Sequence, residues 1–480
     1  MESPRKSVYF VSLGCPKNRV DSEVMVGVAR GAGYEVVADA EEAETIVINT
    51  CGFIGEAKKE SIDTILELSE LKKQGGCSRL VVTGCLSQRY PNELASEMPE
   101  VDHFLGSSDM LKLGDVLRGG ADRMLVGHPA DWVVRASDPR VLTGSRVHAY
   151  VKIAEGCNRV CSFCTIPEFR GKQRSRDIDD VVREAEQLAA QGVVELNLIS
   201  QDTVSYGRDL RQSGKADRGA LAALVRRVAE VESIRWVRLF YLYPETIDLE
   251  LLELLAHHPR VVPYVDMPLQ HASDAMLRRM KRGHGADRQR RVVERMRKEI
   301  PGLTFRTAFI VGHPGETDEE FQELLDFVAW ARFEHVGVFR YSDEESCKSH
   351  GFEDKVSARV AANRYRKLMS LQRRIARKAN RARVGQELDI LVEGPSEEHE
   401  FVMAGRHAGQ APEIDGQVYL SGAEVHPGQI RRVRIGQASD YDLVGDVIDD
   451  APSGPRKKKR VALKMFDSPA PLASPTTEWR

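Results

Sequence analysis

The stretch Ile153-Ala154-Glu155-Gly156-Cys157-Asn158-Arg159-Val160-Cys161-Ser162-Phe163-Cys164 decides how the chain is read. An apolar run, Ala149–Ala154, leads straight into three cysteines spaced C-x3-C-x2-C. A short apolar run that ends in glycine reads as a buried strand. The triplet therefore occupies a loop at the C-terminal end of that strand. A structural zinc site normally takes four protein ligands, and no fourth Cys or His lies nearby in the sequence.

Outward from this point the strand–helix unit repeats. Candidate strands are Ala149–Ala154, Val194–Ser200, Trp236–Tyr243, Val261–Pro268, Thr304–Val311 and His335–Tyr341. Helical periods follow most of them, at Asp179–Gln191, Leu221–Val231, Leu249–His257, Asp287–Glu299 and Asp318–Arg332. Repeated βα units predict a partial TIM-like barrel over 145–352, with its chemistry at the C-terminal strand ends. Residues 1–125 alternate in the same way, with strands at Val8–Leu13, Thr45–Asn49 and Leu80–Thr83 and helices at Asp21–Ala32 and Glu56–Lys73. They predict a smaller doubly wound α/β domain. Residues 126–144 lack a clear period and read as a linker.

The end of the chain differs. Residues 355–383 form one helical pattern with eleven Lys or Arg and no acid, within a connecting segment 353–383. It is a solvated basic face, a surface for RNA, or a helix packed on something acidic. Five short runs, Glu387–Glu393, Phe401–Arg406, Gln417–Leu420, Ile430–Ile435 and Leu443–Ile448, predict a small OB-like β-barrel over 384–450. The tail 451–480 is rich in Pro and Ser, carries the run Arg456–Arg460, and is expected to be disordered.

Eight cysteines in a chain with no apolar run near the about 18 residues of a membrane span, and no signal-peptide pattern, suggest a reduced, cytoplasmic setting. There, thiols serve metal or catalysis more often than disulfides. A four-iron cluster needs one ligand per iron. Cys157, Cys161 and Cys164 supply three and leave one iron open to a small ligand, such as the amino and carboxylate groups of a methionine whose sulfur also carries an adenosyl group as a sulfonium. Electron transfer into its sulfonium would release an adenosyl radical. Cys15, Cys51 and Cys85 are far apart in sequence but each directly follows a predicted strand. Parallel strands bring such ends to one edge, so these three form a second candidate ligand set. A lone cysteine is more often simply buried; Cys77 and Cys347 lack the shared context and read as ordinary thiols.

These motifs resemble the radical S-adenosylmethionine superfamily, with Phe163 as the aromatic before the last cysteine. Phe309-Ile310-Val311-Gly312-His313-Pro314-Gly315-Glu316 resembles that superfamily's adenine-binding strand end. Two incomplete cluster sites, the barrel and a TRAM-like terminal β-barrel together resemble the methylthiotransferases, over residues 7 to about 448. The resemblance implies two [4Fe–4S] clusters, one generating the radical and one delivering sulfur, and S-adenosylmethionine as both radical source and methyl donor. It implies cofactor or substrate contacts at Phe163, Gln201, Asp202, Gln270, His271, Gly312 and Glu316, and a low-potential electron donor of flavodoxin or ferredoxin type.

The local wording resembles the branch that modifies an aspartate of ribosomal protein S12. It lies in Ser12-Leu13-Gly14-Cys15-Pro16-Lys17-Asn18, Val20-Asp21-Ser22-Glu23, Ser200-Gln201-Asp202-Thr203 and Met267-Pro268-Leu269-Gln270-His271-Ala272-Ser273. Arg19 stands where an aliphatic residue is common in the branch, and His313 where Phe is common. The partner implied is S12 or the small ribosomal subunit. The alternative is a tRNA adenosine methylthiotransferase. Residues 384–450 hold 14 Asp or Glu against 4 Lys or Arg. That balance suits a basic protein partner and opposes direct tRNA binding.

Overall fold

A computed structural model describes residues 6–214, 218–244, 247–396 and 402–449. The tail 451–480 with its Arg456–Arg460 run, and the first predicted residue of the Phe401–Arg406 strand, lie outside the described residues.

The N-terminal sheet has six parallel strands, β1 (Ser7–Ser12), β2 (Glu35–Val36), β3 (Thr45–Thr50), β4 (Arg79–Gly84), β5 (His103–Leu105) and β6 (Met124–Leu125), in the order β2-β1-β3-β4-β5-β6. Side chains alternate across the strands. Val8, Phe10, Val47 and Val81 meet the helices Pro16–Gly31 and Leu113–Arg118 on one face. Ile46, Ile48, Leu80 and Val82 meet Gly55–Lys73 and the helices after β4 on the other. Helices on both faces make this a doubly wound sheet, as the sequence predicts. β2, β5 and β6 are two or three residues long, too short to leave a period.

The central sheet is also parallel. It runs β7 (His148–Lys152), β10 (Glu195–Ile199), β11 (Trp236–Leu239), β12 (Val261–Asp266), β13 (Thr304–Val311) and β14 (His335–Arg340), neighbours in chain order and open between β7 and β14. A small ribbon, β8 (Ala154–Glu155) with β9 (Arg174–Ser175), frames the cysteine loop. Five crossover helices and the long helix Ala358–Arg381 pack on the outside around one large apolar core. The last five strands, β15 (Glu387–Pro395), β16 (Met403–His407), β17 (Val418–Ser421), β18 (Ile430–Ala438) and β19 (Leu443–Val447), close into a barrel.

The segment 126–144 is irregular but tightly held. Arg140 pairs with Glu23 at 2.6 Å and with Glu184, one on each α/β unit. The segment crosses the first helix at Gly27, where an added Cβ would lie 2.6 Å from the Pro139 carbonyl.

The small barrel plugs the N-terminal end of the central sheet. Arg406 is buried between Glu195 (2.5 Å), the first residue of β10, and Glu393 (2.8 Å). Tyr264 donates to Asp415 (2.7 Å), and His335, the first residue of β14, meets the Gly409 carbonyl (2.9 Å). Arg19, in place of an aliphatic residue, pairs with Glu413 and so ties the N-terminal helix to this barrel.

His148 opens β7 in the same contact. Burial opposes its charge, but hydrogen bonds to Glu393 and Glu413 outweigh that and raise it to about 9. A group raised in the folded state gives its full stability below its unfolded value and loses it as pH climbs through the folded one. The thermal midpoint should fall between pH 7 and 9.5, by no more than the equivalent of about 3 kcal/mol. The His148→Gln variant, less stable at pH 7, should show a shallower fall.

Candidate cluster and cofactor site

Both cysteine triplets sit at C-terminal strand ends, and the two sheet edges face each other. In the N-terminal sheet, Thr50 of β3 is level with Gly84 of β4, so Cys51 and Cys85 are the next residues along neighbouring strands. Cys15 follows β1 on the other side of β3. Gly14 has φ 95°, and a Cβ there would stand 2.8 Å from the Cys51 Cβ, so only glycine lets Cys15 turn in beside Cys51. Asn18 fixes this edge by donating to Leu13 O (2.8 Å) and Thr50 O (3.0 Å). All eight cysteines are free. Burial, with the neighbouring Cys85 and Cys15, pushes the Cys51 thiol well up, and burial also raises Cys85.

The other triplet follows β8. Ser162 between its cysteines anchors the loop: its N–H donates to Met280 O (3.1 Å), its hydroxyl to Arg279 O (2.8 Å), and its carbonyl accepts from Ser349 N–H (2.9 Å). The Arg159 N–H points at Cys157 Sγ (3.4 Å) and Arg282 at Cys161 Sγ (3.4 Å). Burial pushes Cys157 up to about 11 and Cys164 further. Cys347 lies close enough to add to the shift at Cys164, whereas Cys77 packs in the core of the first domain.

A buried charge lattice joins the two edges. Asp21, on the first helix, accepts from Lys152 (2.6 Å) at the end of β7 and from Arg170 (2.9 Å) in the helix after the triplet. Glu155 meets the same two cations. The other Arg170 nitrogen donates to Asn18 Oδ1 (2.6 Å) and points at Cys85 Sγ (3.1 Å). One arginine six residues after Cys164 thus touches the other cysteine set. Glu344, after β14, accepts from Lys58 (2.6 Å) and Arg89 (2.8 Å) of the first domain. Lys17 is buried with its ammonium 3.1 Å from the Tyr241 ring centre, and burial lowers it to about 8.

The remaining predicted residues divide. Gln201 donates to Glu155. Asp202 accepts from Arg159 (2.6 Å) and Ser205 (2.7 Å) through Oδ2. Among the described residues, the buried Gln201 Oε1 and Asp202 Oδ1 have no hydrogen-bond partner. Glu316 is spent internally: it accepts from the Gly312 N–H and from Arg364 (2.9 Å), and meets His271 Nε2 (3.2 Å). The other His271 nitrogen accepts from Ser273 N–H (3.1 Å). Gln270 has φ 72° and bridges to β13 on both sides, through Ala308 O and Ile310 N–H. Phe163 is half-buried in the triplet loop. His313, where Phe is common, packs edge-on against Tyr341 (5.1 Å) and Phe352 (6.0 Å), so its ring keeps an aromatic's place.

Sequence reasoning gave no role to Lys17, Asn18, Asp21, Lys152 or Arg170. The only signal was the wording of the Pro16–Glu23 stretch.

The residues present fit a cluster at each triplet. The thiols of each triplet are free and lie near enough for Cys85 and Cys15 to act on Cys51, and for Cys161, Cys157 and Cys347 to act on Cys164; among the described residues no three such side chains are close enough to hold a single metal ion. The orphaned Gln201 and Asp202 oxygens fit a polar ligand beside the barrel triplet.

Residues 151–328 match the radical SAM superfamily, residues 7–106 an uncharacterized protein family, UPF0004, and residues 384–448 the TRAM domain. A solved radical S-adenosylmethionine methyltransferase, TsrM of Kitasatospora setae, shares the fold at 17% identity, with a TM-score of 0.50 over 70% of this chain and 73% of that one. The fold and the cysteine loop are those of a radical enzyme that uses S-adenosylmethionine and a [4Fe–4S] cluster. The ribosomal protein uS12 methylthiotransferase RimO of Sorangium cellulosum is 70% identical over 96% of this chain and 98% of its own length. That of Myxococcus xanthus is 48% identical over 98% and 97%. The chain belongs to this RimO family of methylthiotransferases.

Removing one partner from a buried ion network leaves uncompensated charge, at a cost of about 3–5 kcal/mol. Arg170→Met should therefore lower the thermal midpoint and expose the 126–144 segment to limited proteolysis, while Arg118→Met, on an exposed pair, should change neither.

Proposed function

We propose that this chain inserts a methylthio group at the β-carbon of an aspartate of ribosomal protein uS12, free or within the small ribosomal subunit, in the cytoplasm. The observation that carries the reading is the facing of two cysteine triplets across one buried seam, in a chain whose near-full-length relatives are named for that reaction. Cys157, Cys161 and Cys164 would hold one [4Fe–4S] cluster, and Cys15, Cys51 and Cys85 a second. When bound, these clusters and two molecules of S-adenosylmethionine supply hydrogen abstraction, the sulfur and its methyl group.

The chain's own residues bind and orient. Ser162 pins the triplet loop to the segments after β12 and β14. Gln201 and Asp202, just past the end of β10, each keep one buried unpaired acceptor, suited to hydroxyl or ammonium groups of the cofactor. Phe163 and Gly312 would contact the adenosyl group. Glu316 and His271 act on it through Gly312, since they hold the turn after β13 in place. Gln270 closes the end of β12. The lattice around Asp21 keeps the two triplets at a fixed separation and the seam dry, which protects a radical from solvent.

The reductant is of low-potential flavodoxin or ferredoxin type. Direct tRNA binding is not expected, although the charge argument for that expectation is weaker in three dimensions. Glu393, Glu413, Asp415 and Asp440 are all paired within the protein, and Glu397, Glu398, Glu400 and Asp450 lie outside the described residues.

Mass spectrometry of uS12 from cells with and without the gene tests the reading. A gain of one methylthio group on a single aspartate, present only with the gene, is expected. Unmodified uS12, with methylthiolated adenosine in tRNA instead, would transfer the assignment to the tRNA reaction. Replacing Cys157, Cys161 and Cys164 by Ala should remove about half the iron and abolish 5′-deoxyadenosine release. Replacing Cys15, Cys51 and Cys85 should remove the other half and abolish methylthiolation, but leave S-adenosylmethionine cleavage.

A further inference from the structure

A substrate aspartate carries its carboxylate one bond from the carbon to be modified. Whatever recognises that carboxylate must therefore lie beside the position where sulfur arrives, on the seam between the two triplets. A carboxylate brought out of water needs a cation or several donors there. The seam holds several cations, and most are already committed. Lys152 and Arg170 are shared between Asp21 and Glu155. Arg306 is paired with Asp266 at 2.8 Å. Arg159 is paired with Asp202.

Lys17 is different. It lies two residues after Cys15, in the first turn of the helix Pro16–Gly31, and is 8% exposed. Among the described residues no carboxylate lies within ion-pair distance of its ammonium. The carboxylates in its neighbourhood, Glu155 and Asp266, are saturated by other partners. Its ammonium instead rests 3.1 Å from the centre of the Tyr241 ring, just past the end of β11.

Tyr241 is itself held in an unusual conformation. Its φ is 58°, in the left-handed region that a tyrosine enters only at a cost. Two backbone contacts hold it: its N–H donates to Asp266 (3.0 Å) and its carbonyl accepts from Thr203 N–H (3.2 Å). Four residues past the end of the neighbouring strand β12 lies a second residue of this kind, Gln270, with φ 72°. Strain of this sort persists where surrounding structure imposes it, commonly at binding sites. The aromatic face stabilises the cation while leaving its hydrogen-bond donors unspent.

We propose that Lys17 is the residue that binds the side-chain carboxylate of the substrate aspartate, held in readiness by the Tyr241 ring. It makes the enzyme selective for aspartate over its neutral isostere. The role rests on the uS12 reading above. The ammonium donates to the carboxylate oxygens and fixes the adjacent carbon between the two cysteine sets. It takes no proton from the substrate and forms no bond with it.

The test uses reconstituted holoenzyme with intact uS12 and with uS12 in which the target aspartate is replaced by asparagine. Wild-type enzyme should modify the aspartate form and strongly disfavour the asparagine form. Lys17→Met, which keeps the stem and removes the charge, should lower kcat/KM for the aspartate form by about 30-fold or more. The asparagine form should be left little changed, so the discrimination collapses. The iron content and the substrate-free release of 5′-deoxyadenosine should match wild type, and Lys17→Arg should recover part of the discrimination.

A Lys17→Met enzyme with full iron and undiminished preference for aspartate overturns the proposal. So does wild-type enzyme that accepts both forms equally, a result that needs no variant to fold. Loss of the N-terminal triplet's iron in Lys17→Met alone would assign the lysine to the cluster and equally overturn it. Wild-type enzyme that leaves aspartate uS12 unmodified would sink the substrate reading itself, a failure separable from the others.

Discussion

Asp21 accepts from Lys152 and Arg170 at a point where three otherwise separate pieces meet: the first helix of one sheet, the end of β7, and the helix after the barrel triplet. All three side chains are buried, with exposure of 4% or less. A buried ion network of this kind contributes little net stability, because desolvation offsets most of the attraction. What it does contribute is a single permitted arrangement. Shifting one sheet against the other by a residue would strand at least one charge without a partner. The relative placement of the two cysteine sets follows from this constraint, since Arg170 completes its geometry on Asn18 and Cys85.

The elements were legible where a period or a repeat was long enough to read. All six central strands and their five crossover helices fall on the expected runs, as do the five strands of the terminal barrel. β2 and β6, two residues each, were not legible because their pairing comes from the sheet and not from their own residues. The cysteine sets were legible for different reasons. Spacing marks Cys157, Cys161 and Cys164, while Cys15, Cys51 and Cys85 depend on the shared strand-end context. The partners of those cysteines were not legible. Arg170 and Asp21 are 149 residues apart, and no local pattern records a contact at that distance. Glu316 shows the converse. Its motif suggests a ligand contact, yet both carboxylate oxygens are occupied by Gly312, His271 and Arg364.

Charge counts along the chain read poorly for a similar reason. The acidic terminal barrel and the basic helix Ala358–Arg381 look like two binding surfaces when counted separately. In the fold they partly answer each other, since Arg373 and Arg377 both pair with Asp440. Arg364 turns inward to Glu316 and Asp318. The acids Glu393, Glu413 and Asp415 are met by His148 and Tyr264 of the central sheet, Arg19 of the first helix and Arg406 of the terminal barrel itself. Of the helix's three readings, packing on an acidic neighbour is the one these contacts support.

The terminal barrel closes one end of the central sheet, while the N-terminal domain, which meets the barrel at Arg19, reaches along β7 to the other end, and the division has a physical reason. The barrel contacts Glu195, His148 and His335, each the first residue of its strand. It therefore closes the N-terminal end and fills the concave interior with Leu391 and Ala411 against Tyr150, Phe240 and Tyr264. With that end packed, the unpaired acceptors Gln201 Oε1 and Asp202 Oδ1 lie at the C-terminal mouth, beside the barrel triplet. The first domain lies over that mouth through Glu344 and the Asp21 lattice. A substrate side chain must then enter between two domains already locked by buried charge. Recognition therefore falls to the short edge formed by Cys15–Asn18 and the ends of β10, β11 and β12, with no large movement of either sheet needed to build it.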